Sequence, residues 1–425
     1  MPGLAPEITL PTSTPAPDLG AATHLSCREC GTTAPLGAYY ACSECFGPLE
    51  VGYDFTGVSR ERIEAGPRSI WRYRDLLPVP ATVADTPNTD PGWTRLLRAE
   101  RLASELGIKT LWVKDDTGNP THSFKDRVVA VALAAARQLG FTVLACPSTG
   151  NLANAVAAAA RAGIRSFVFV PRDLEQQKIV TTAVYGTTLV AVDGTYDDVN
   201  RLASELAGMH EDWAFVNVNV RPYYAEGSKT LGYEVAEQLG WRLPRQVVIP
   251  VASGAQLVKV DKAFRELLEL GLVEGEQPRI FGAQATGCSP VAAAFKSGHD
   301  VVRPVRPSTI AKSLAIGNPA DGPYVLDVVR RTGGAVEDVL DEEIVDGIRL
   351  LARTEGVFAE TAGGVTTAVL AKLVRTGLLD PDAETVVFNT GDGLKTLDAV
   401  SPAVGPVGTI PPTTEAFEAL GVTES

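Results

Sequence analysis

Asn119-Pro120-Thr121-His122-Ser123-Phe124-Lys125-Asp126-Arg127 is the stretch from which the rest of this chain is read. Gly118-Asn119-Pro120 breaks a short apolar strand, Leu111-Trp112-Val113-Lys114, and the Ala/Val-rich run over 128–139 has the composition of a buried or half-buried helix. Lys125 therefore stands at a loop-to-helix junction, where a ligand can reach it. A lysine acting as a nucleophile must give up a proton, and burial and neighbouring cations favour that loss. Phe124, the Ala/Val run and Arg127 supply such surroundings. The other reading of Lys125 alone is a solvated surface lysine, the usual state of that residue.

Outward from this segment, short apolar runs alternate with helical ones from residue 108 to about 400. Candidate strands are 111–114, 141–146, 166–170, 188–192, 214–218, 247–251, 280–283 and 386–389. This alternation predicts an α/β fold of parallel sheets flanked by helices. In such folds ligands bind at the carboxyl ends of strands, in the turns that open the next helix. Three turns qualify. Ser148-Thr149-Gly150-Asn151 opens the Ala-rich run 152–162 and reads equally as an anion site or a plain helix cap. Ala252-Ser253-Gly254-Ala255-Gln256 follows the run 247–251 and reads as a phosphate cup or a tight turn; it matches neither G-x-x-x-x-G-K-[ST] nor G-x-G-x-x-G. Thr390-Gly391-Asp392-Gly393-Leu394-Lys395 again lies between strand and helix. A reactive lysine with three such turns suggests one cleft holding a phosphorylated cofactor. Lysine plus phosphate cup points to pyridoxal phosphate, whose aldehyde forms a Schiff base with lysine.

Towards the N-terminus, residues 1–23 lack helical or strand period and read as a flexible tail. Cys27-Arg28-Glu29-Cys30 and Cys42-Ser43-Glu44-Cys45 are two C-x-x-C pairs separated by eleven residues. In a chain without a secretory signal this spacing favours tetrahedral zinc coordination by Cys27, Cys30, Cys42 and Cys45 over disulfides, in a closed and therefore structural site. The competing reading is a set of incidental cysteines, or a ribbon that has lost its metal. His24 could compete as a ligand, but four cysteines fill the shell; Cys146 and Cys288 read as packed small hydrophobes. Residues 51–107 are irregular, a wrap leading into a first helix at 96–106.

The 38 Lys and Arg against 51 Asp and Glu leave a formal charge of −13, which argues against a nucleic-acid partner. The four-cysteine knuckle could alternatively mark a nucleic-acid or protein-binding module, but no basic stripe accompanies it. There is no basic, apolar leader and no uninterrupted apolar segment of about 18 residues, so the expectation is a cytoplasmic protein without membrane insertion.

The residues quoted so far resemble the threonine synthase family, pyridoxal-phosphate enzymes of fold type II, from the cysteine knuckle to about residue 400. Ser123-Phe124-Lys125-Asp126-Arg127 resembles the family's S-F-K-D-R lysine motif, Ser148-Thr149-Gly150-Asn151 its S-[ST]-G-N turn, and Thr390 to Lys395 its T-G-x-G-L-K segment. Glu226-Gly227-Ser228-Lys229-Thr230 and Ser313 to Pro319 are also similar to family segments. His122 departs from the pattern, standing where many members have Gly, and the cup is less Gly-rich than in related dehydratases.

The resemblance implies a two-lobed fold type II enzyme with an N-terminal zinc-ribbon-like knuckle. Its parts are a tail at 1–23, the knuckle at 24–50, a large cofactor-binding domain of 51–127 and 226–400, a small mobile domain at 128–225 and an extension at 401–425. It implies conversion of O-phospho-L-homoserine and water to L-threonine and phosphate, with Lys125 carrying the cofactor as an aldimine and then serving as base and acid. Phe124, Asn151, Ser253, Gly254, Ala255, Gln256, Leu257 and Thr390 join Lys125 in holding the cofactor. Ser123, Ser148, Thr149, Arg221, Ser228 and Lys229 meet the substrate, the last with Arg221 and Ser228 as candidate partners of its phosphate. A homodimer is implied. The alternative is a related β-replacement enzyme or dehydratase acting on phosphoserine, serine or threonine.

Overall fold

The computed structural model describes residues 17–82, 86–87, 89–148, 150–174, 176–194 and 196–422. They divide into two compact units, and the chain passes between them several times. The first unit comprises the described parts of Met1–Trp93, Lys125–Glu234 and Lys262–Glu274; the second comprises Thr94–Phe124, Val235–Asp261 and the described part of Gly275–Ser425.

The chain opens in the first unit with strands β1 (Ala22–Cys27), β2 (Thr33–Ala34) and β3 (Leu49–Tyr53), an antiparallel sheet in the order β2-β1-β3. Helix α1 (Arg60–Glu64) follows, capped by Ser59. In the second unit come β4 (Arg95–Arg98), α2 (Glu100–Leu106) and β5 (Leu111–Asp115). At Lys125 the chain re-enters the first unit with α3 (Lys125–Gln138), β6 (Val143–Pro147), α4 (Asn151–Ala158), β7 (Arg165–Pro171), α5 (Gln176–Ala183), β8 (Thr188–Val192), α6 (Tyr196–Met209), β9 (Trp213–Phe215) and α7 (Arg221–Glu226). After α8 (Lys229–Gln238) come β10 (Gln246–Pro250), α9 (Ala255–Glu269), β11 (Arg279–Ala285), α10 (Pro290–Lys296), α11 (Gly322–Arg331), β12 (Val336–Val339), α12 (Asp341–Glu355), α13 (Thr361–Arg375) and β13 (Thr385–Asn389).

Each unit has its own parallel sheet. In the first the order is β8-β7-β6-β9. In the second it is β12-β11-β10-β13-β5-β4, parallel except for β4, which runs antiparallel to β5. Burial follows position: β6, β10 and β13 are buried at every residue, as strands covered on both faces must be, whereas edge strand β8 has only half-buried and exposed residues. Among the described residues no helix is long and apolar enough to cross a membrane.

The sheets correct several sequence expectations. Residues 96–106 are not one helix: Leu96, Leu97 and Arg98 pair with Lys114, Val113 and Trp112, and only Glu100–Leu106 is helical. An antiparallel edge offered by β5 outweighs the local helical preference of Leu and Arg. β6 begins at Val143 and ends at Pro147 rather than covering 141–146. β9 stops at Phe215 because Asn219 folds back, its Oδ1 accepting from the Phe215 N–H (2.8 Å) and its Nδ2 donating to the Trp213 carbonyl (3.0 Å). Strand β12, Val-Glu-Asp-Val, was not expected from its sequence.

Candidate active site

In the second unit three neighbouring strands, β10, β13 and β5, end at one edge of the sheet, and each delivers a turn picked out from the sequence. β5 leads to the lysine segment. Its Ser123 forms an antiparallel bridge with Gly391, the Phe124 N–H donates to the Thr390 carbonyl (3.0 Å), and the Asp392 N–H donates to the His122 carbonyl (3.1 Å). The S-F-K-D-R and T-G-x-G-L-K segments are thus laced together by backbone, with Thr390 buried. Gly391 leaves room for the buried Glu360 carboxyl, one oxygen of which would stand 2.3 Å from a Cβ there. His122 lies exposed with φ 61°, a left-handed backbone that glycine adopts at little cost. The place thus calls for a left-handed residue, a backbone that glycine would adopt freely and that His122 adopts here.

β10 leads to the second turn. Gly254 has φ +100°, and a Cβ on it would come within 2.7 Å of Val325, so no other residue fits. The Asp321 N–H donates to the Ser253 carbonyl (2.8 Å) and pins the loop, after which Ala255 opens α9. Ser253, Gly254, Ala255, Gln256 and Leu257 therefore form a loop running into the N-terminal turn of a long helix, whose first amides have no partner within the helix. Gln256 Nε2 is buried without a hydrogen-bond partner, as is Ser123 Oγ. Buried donors left open in this way are costly unless an acceptor joins them, so this unit's edge is built for an anionic, polar guest such as a phosphorylated cofactor.

In the first unit, β6 and β9 are paired neighbours. β6 leads to Ser148, whose Oγ accepts from the N–H groups of Gly150 (3.2 Å) and Ala153 (3.0 Å), and to Asn151, the first residue of α4. Thr149 lies outside the described residues. β9 leads to α7, which begins at Arg221. Lys125, half-buried at the start of α3, donates through Nζ to Tyr224 Oη (3.0 Å) and stands 5.6 Å from the centroid of that ring. Arg127, two residues on, is sealed against Glu234 by a bidentate pair (2.5 and 2.8 Å), both side chains at 0% exposure. The motif arginine thus ties the lysine helix to α8.

Two residues absent from the sequence expectation stand out. Tyr224 is the lysine's partner. Lys178, buried on α5, brings its Nζ to 3.6 Å from where a Cβ on Gly150 would be, over the Ser148–Asn151 turn. Neither carries a motif: Tyr224 sits in Arg-Pro-Tyr-Tyr-Ala-Glu, and Lys178 in an unremarkable Gln-Gln-Lys-Ile helix.

Lys229, expected near the substrate phosphate, faces carboxylates instead. Lys229 is fully buried, with Nζ 2.8 Å from Glu226 Oε2 and 3.1 Å from Glu266 Oε2, and 4.1 Å from the centroid of Tyr53. Ser228 is buried at the turn between α7 and α8. An ammonium enclosed by two carboxylates is already neutralised, which removes it as a receptor for an anion.

The N-terminal cysteines converge. The sulfurs of Cys27, Cys30, Cys42 and Cys45 all lie within 4.8 Å of one another, with Cys27 to Cys45 at 3.4 Å and Cys30 to Cys42 at 3.7 Å. A tetrahedron with metal–sulfur bonds of about 2.3 Å has edges of about 3.8 Å, so the set fits a four-thiolate metal. Hydrogen bonds from Thr32 draw the Cys30 thiol down to about 6. The Gly47 amide favours the Cys45 thiolate, yet the neighbouring thiols of Cys30 and Cys27 push it up to about 12. Such crowding resists multiple ionisation until a cation supplies compensating charge. Cys146 and Cys288 are buried, and burial raises both thiols.

Residues 88–391 match the family model for pyridoxal-phosphate-dependent enzymes. The chain is 37% identical to threonine synthase of Methanocaldococcus jannaschii over 380 residues, covering 88% of this chain and 93% of that one. This chain belongs to the threonine synthase family of pyridoxal-phosphate-dependent enzymes. Threonine synthase of Methanosarcina acetivorans is 36% identical, covering 88% and 92%, and that of Mycobacterium tuberculosis strain H37Rv is 34% identical, covering 80% and 93%. Among solved structures, a fungal L-serine ammonia-lyase from Rhizomucor miehei matches with TM-score 0.62 at 22% identity, covering 73% of this chain and 96% of that one. Processed threonine deaminase isoform 2 of Solanum lycopersicum matches with TM-score 0.60 at 21% identity, covering 73% and 88%. These structures share the fold, fold type II, with its parallel sheets. Family membership makes the chain a pyridoxal-phosphate-dependent lyase.

Proposed function

We propose that this enzyme converts O-phospho-L-homoserine and water to L-threonine and phosphate, with Lys125 as the residue that carries the cofactor and moves the protons. The observation that carries this reading is the pairing of the S-F-K-D-R and T-G-x-G-L-K backbones beside the Gly254 cup, with Lys125 following directly in sequence, in a chain whose relatives over most of its length are threonine synthases. When bound, pyridoxal phosphate supplies the electron sink that makes protons on the substrate's Cα and Cβ acidic.

The chain's own residues do the rest. Ser253, Gly254, Ala255, Gln256 and Leu257 would hold the cofactor's phosphate, with the open Gln256 amide as donor, and Phe124, Asn151 and Thr390 would join them in holding the cofactor. A hydroxyl at Thr390 would temper the electron sink, whereas a carboxylate would hold the ring nitrogen in its protonated form. The Lys125 amine, held by Tyr224, takes the protons from Cα and then from Cβ; as phosphate leaves Cγ one proton is returned to Cγ, and after water adds at Cβ one is returned to Cα. Ser123, Ser148, Thr149 and Asn151 receive the substrate, and Lys178 with Arg221 supplies positive charge to its anionic groups in a chain of net charge −13. Zinc closes the four-cysteine knuckle as a structural metal. We take the enzyme to be a cytoplasmic homodimer acting on a small phosphorylated amino acid.

Assaying phosphate and threonine release in the same sample, with O-phosphohomoserine against O-phosphoserine, tests the substrate. Equal yields of threonine and phosphate from O-phosphohomoserine are expected. Turnover of O-phosphoserine alone would favour the β-replacement alternative.

A further inference from the structure

The helix that presents Tyr224 to Lys125 is held from its other side by the cysteine knuckle. Tyr223, at 0% exposure, turns toward the loop between the two cysteine pairs, where it accepts from the Gly37 N–H (2.9 Å) and donates to the Gly37 carbonyl (2.9 Å). Burial pushes its phenol up to about 12, so it keeps the proton it donates. One residue on, Tyr224 meets Lys125. Glu226 then accepts from Tyr53 Oη (2.6 Å) at the end of β3 and from Lys262 Nζ (3.1 Å), which also donates to the Val51 carbonyl (3.2 Å) on the same strand. On the opposite side Gly227 lies hard against the lysine helix: a Cβ there would stand 2.8 Å from the Arg127 carbonyl oxygen and 2.6 Å from Val128 Cα.

A helix as short as Arg221–Glu226 does not persist on its own. It is a spacer gripped between the knuckle sheet and the start of α3. The segment that holds Tyr223 lies between the two cysteine pairs and, past β2, has no regular structure until β3. We propose that the cysteine knuckle is a working part of the lysine site: by docking on Tyr223 and Glu226 it fixes the helix that keeps the Tyr224 hydroxyl on Lys125. Tyr223 is then a positioning residue, and metal in the knuckle governs how tightly the lysine site holds its cofactor. This rests on the reading of Lys125 as the cofactor lysine and of the four thiols as a zinc site.

The test perturbs the connection from both ends. Tyr223→Phe keeps the ring and deletes both bonds to Gly37; removal of zinc by a chelator loosens the loop. Each is expected to speed amide exchange across residues 221–226 of the cofactor-free protein about tenfold, and to weaken pyridoxal phosphate binding about tenfold, while exchange in β10 stays unchanged. In chelated protein Tyr223→Phe should add nothing further, the signature of one shared pathway. Unchanged exchange and cofactor affinity in Tyr223→Phe would overturn the proposal, and so would equal, additive effects of the two perturbations. The two underlying readings are checked separately: zinc content by metal analysis, and the lysine by the absorbance of Lys125→Ala. A protein that binds zinc and carries cofactor on Lys125, yet shows no linkage between them, refutes this inference alone.

Discussion

Lys125 and Lys229 each open a helix, and each lies in a segment that resembles its family, yet their surroundings give them opposite work. Lys229 is fully buried between Glu226 and Glu266, over the Tyr53 ring, in a cluster that also holds Lys262 and the Tyr233 phenol, which donates to Glu266. Burial, and then the charge of Glu226, holds the Tyr53 phenol well above its usual range, so that it stays a donor within this cluster. Lys125 is half-buried and meets a tyrosine hydroxyl. Paired carboxylates hold Lys229 as a strut, whereas the Tyr224 hydroxyl orients the Lys125 amine.

This contrast can be broken at several strengths. Lys125→Ala should lower threonine formation by about a thousandfold or more and abolish the visible absorbance of bound cofactor, while the thermal midpoint stays near that of the parent. Retained turnover would erase the distinction. Lys229→Met should do the reverse. It leaves buried carboxylates short of a cation, and the loss in a urea titration should be about 3–5 kcal/mol, with the folded fraction still taking up cofactor. Stability unchanged by that substitution would mean the pair is not a strut. His122→Gly should have the smallest effect, changing unfolding free energy by less than about 1 kcal/mol and leaving turnover intact, because the left-handed backbone is kept and the side chain is exposed.

Much of the fold and part of the candidate site could be read before the structure. Buried parallel strands such as β6 and β10 are continuous apolar runs, and polar turns at their carboxyl ends are visible as breaks in that pattern. What escaped depends on partners far away in the chain. Leu96 to Arg98 become a strand only because β5 offers them an edge. Val336–Val339 holds two carboxylates that pair with Lys296 and Lys372, which no local pattern announces. Lys178 gains its place from the packing of α5 over the Ser148 turn, and Lys229 lost its expected place because Glu226 and Glu266 close around it. A cation's sequence neighbours do not reveal whether a carboxylate reaches it in space, so motif lysines are the least legible residues of the site.

The direct test of the account is to reduce the cofactor-loaded enzyme with borohydride, which fixes the cofactor on its lysine, and to map the modified peptide by mass. Phosphopyridoxyl on Lys125, with Lys178 and Lys229 unmodified, is the predicted result; label on either of those two lysines in place of Lys125 would contradict it.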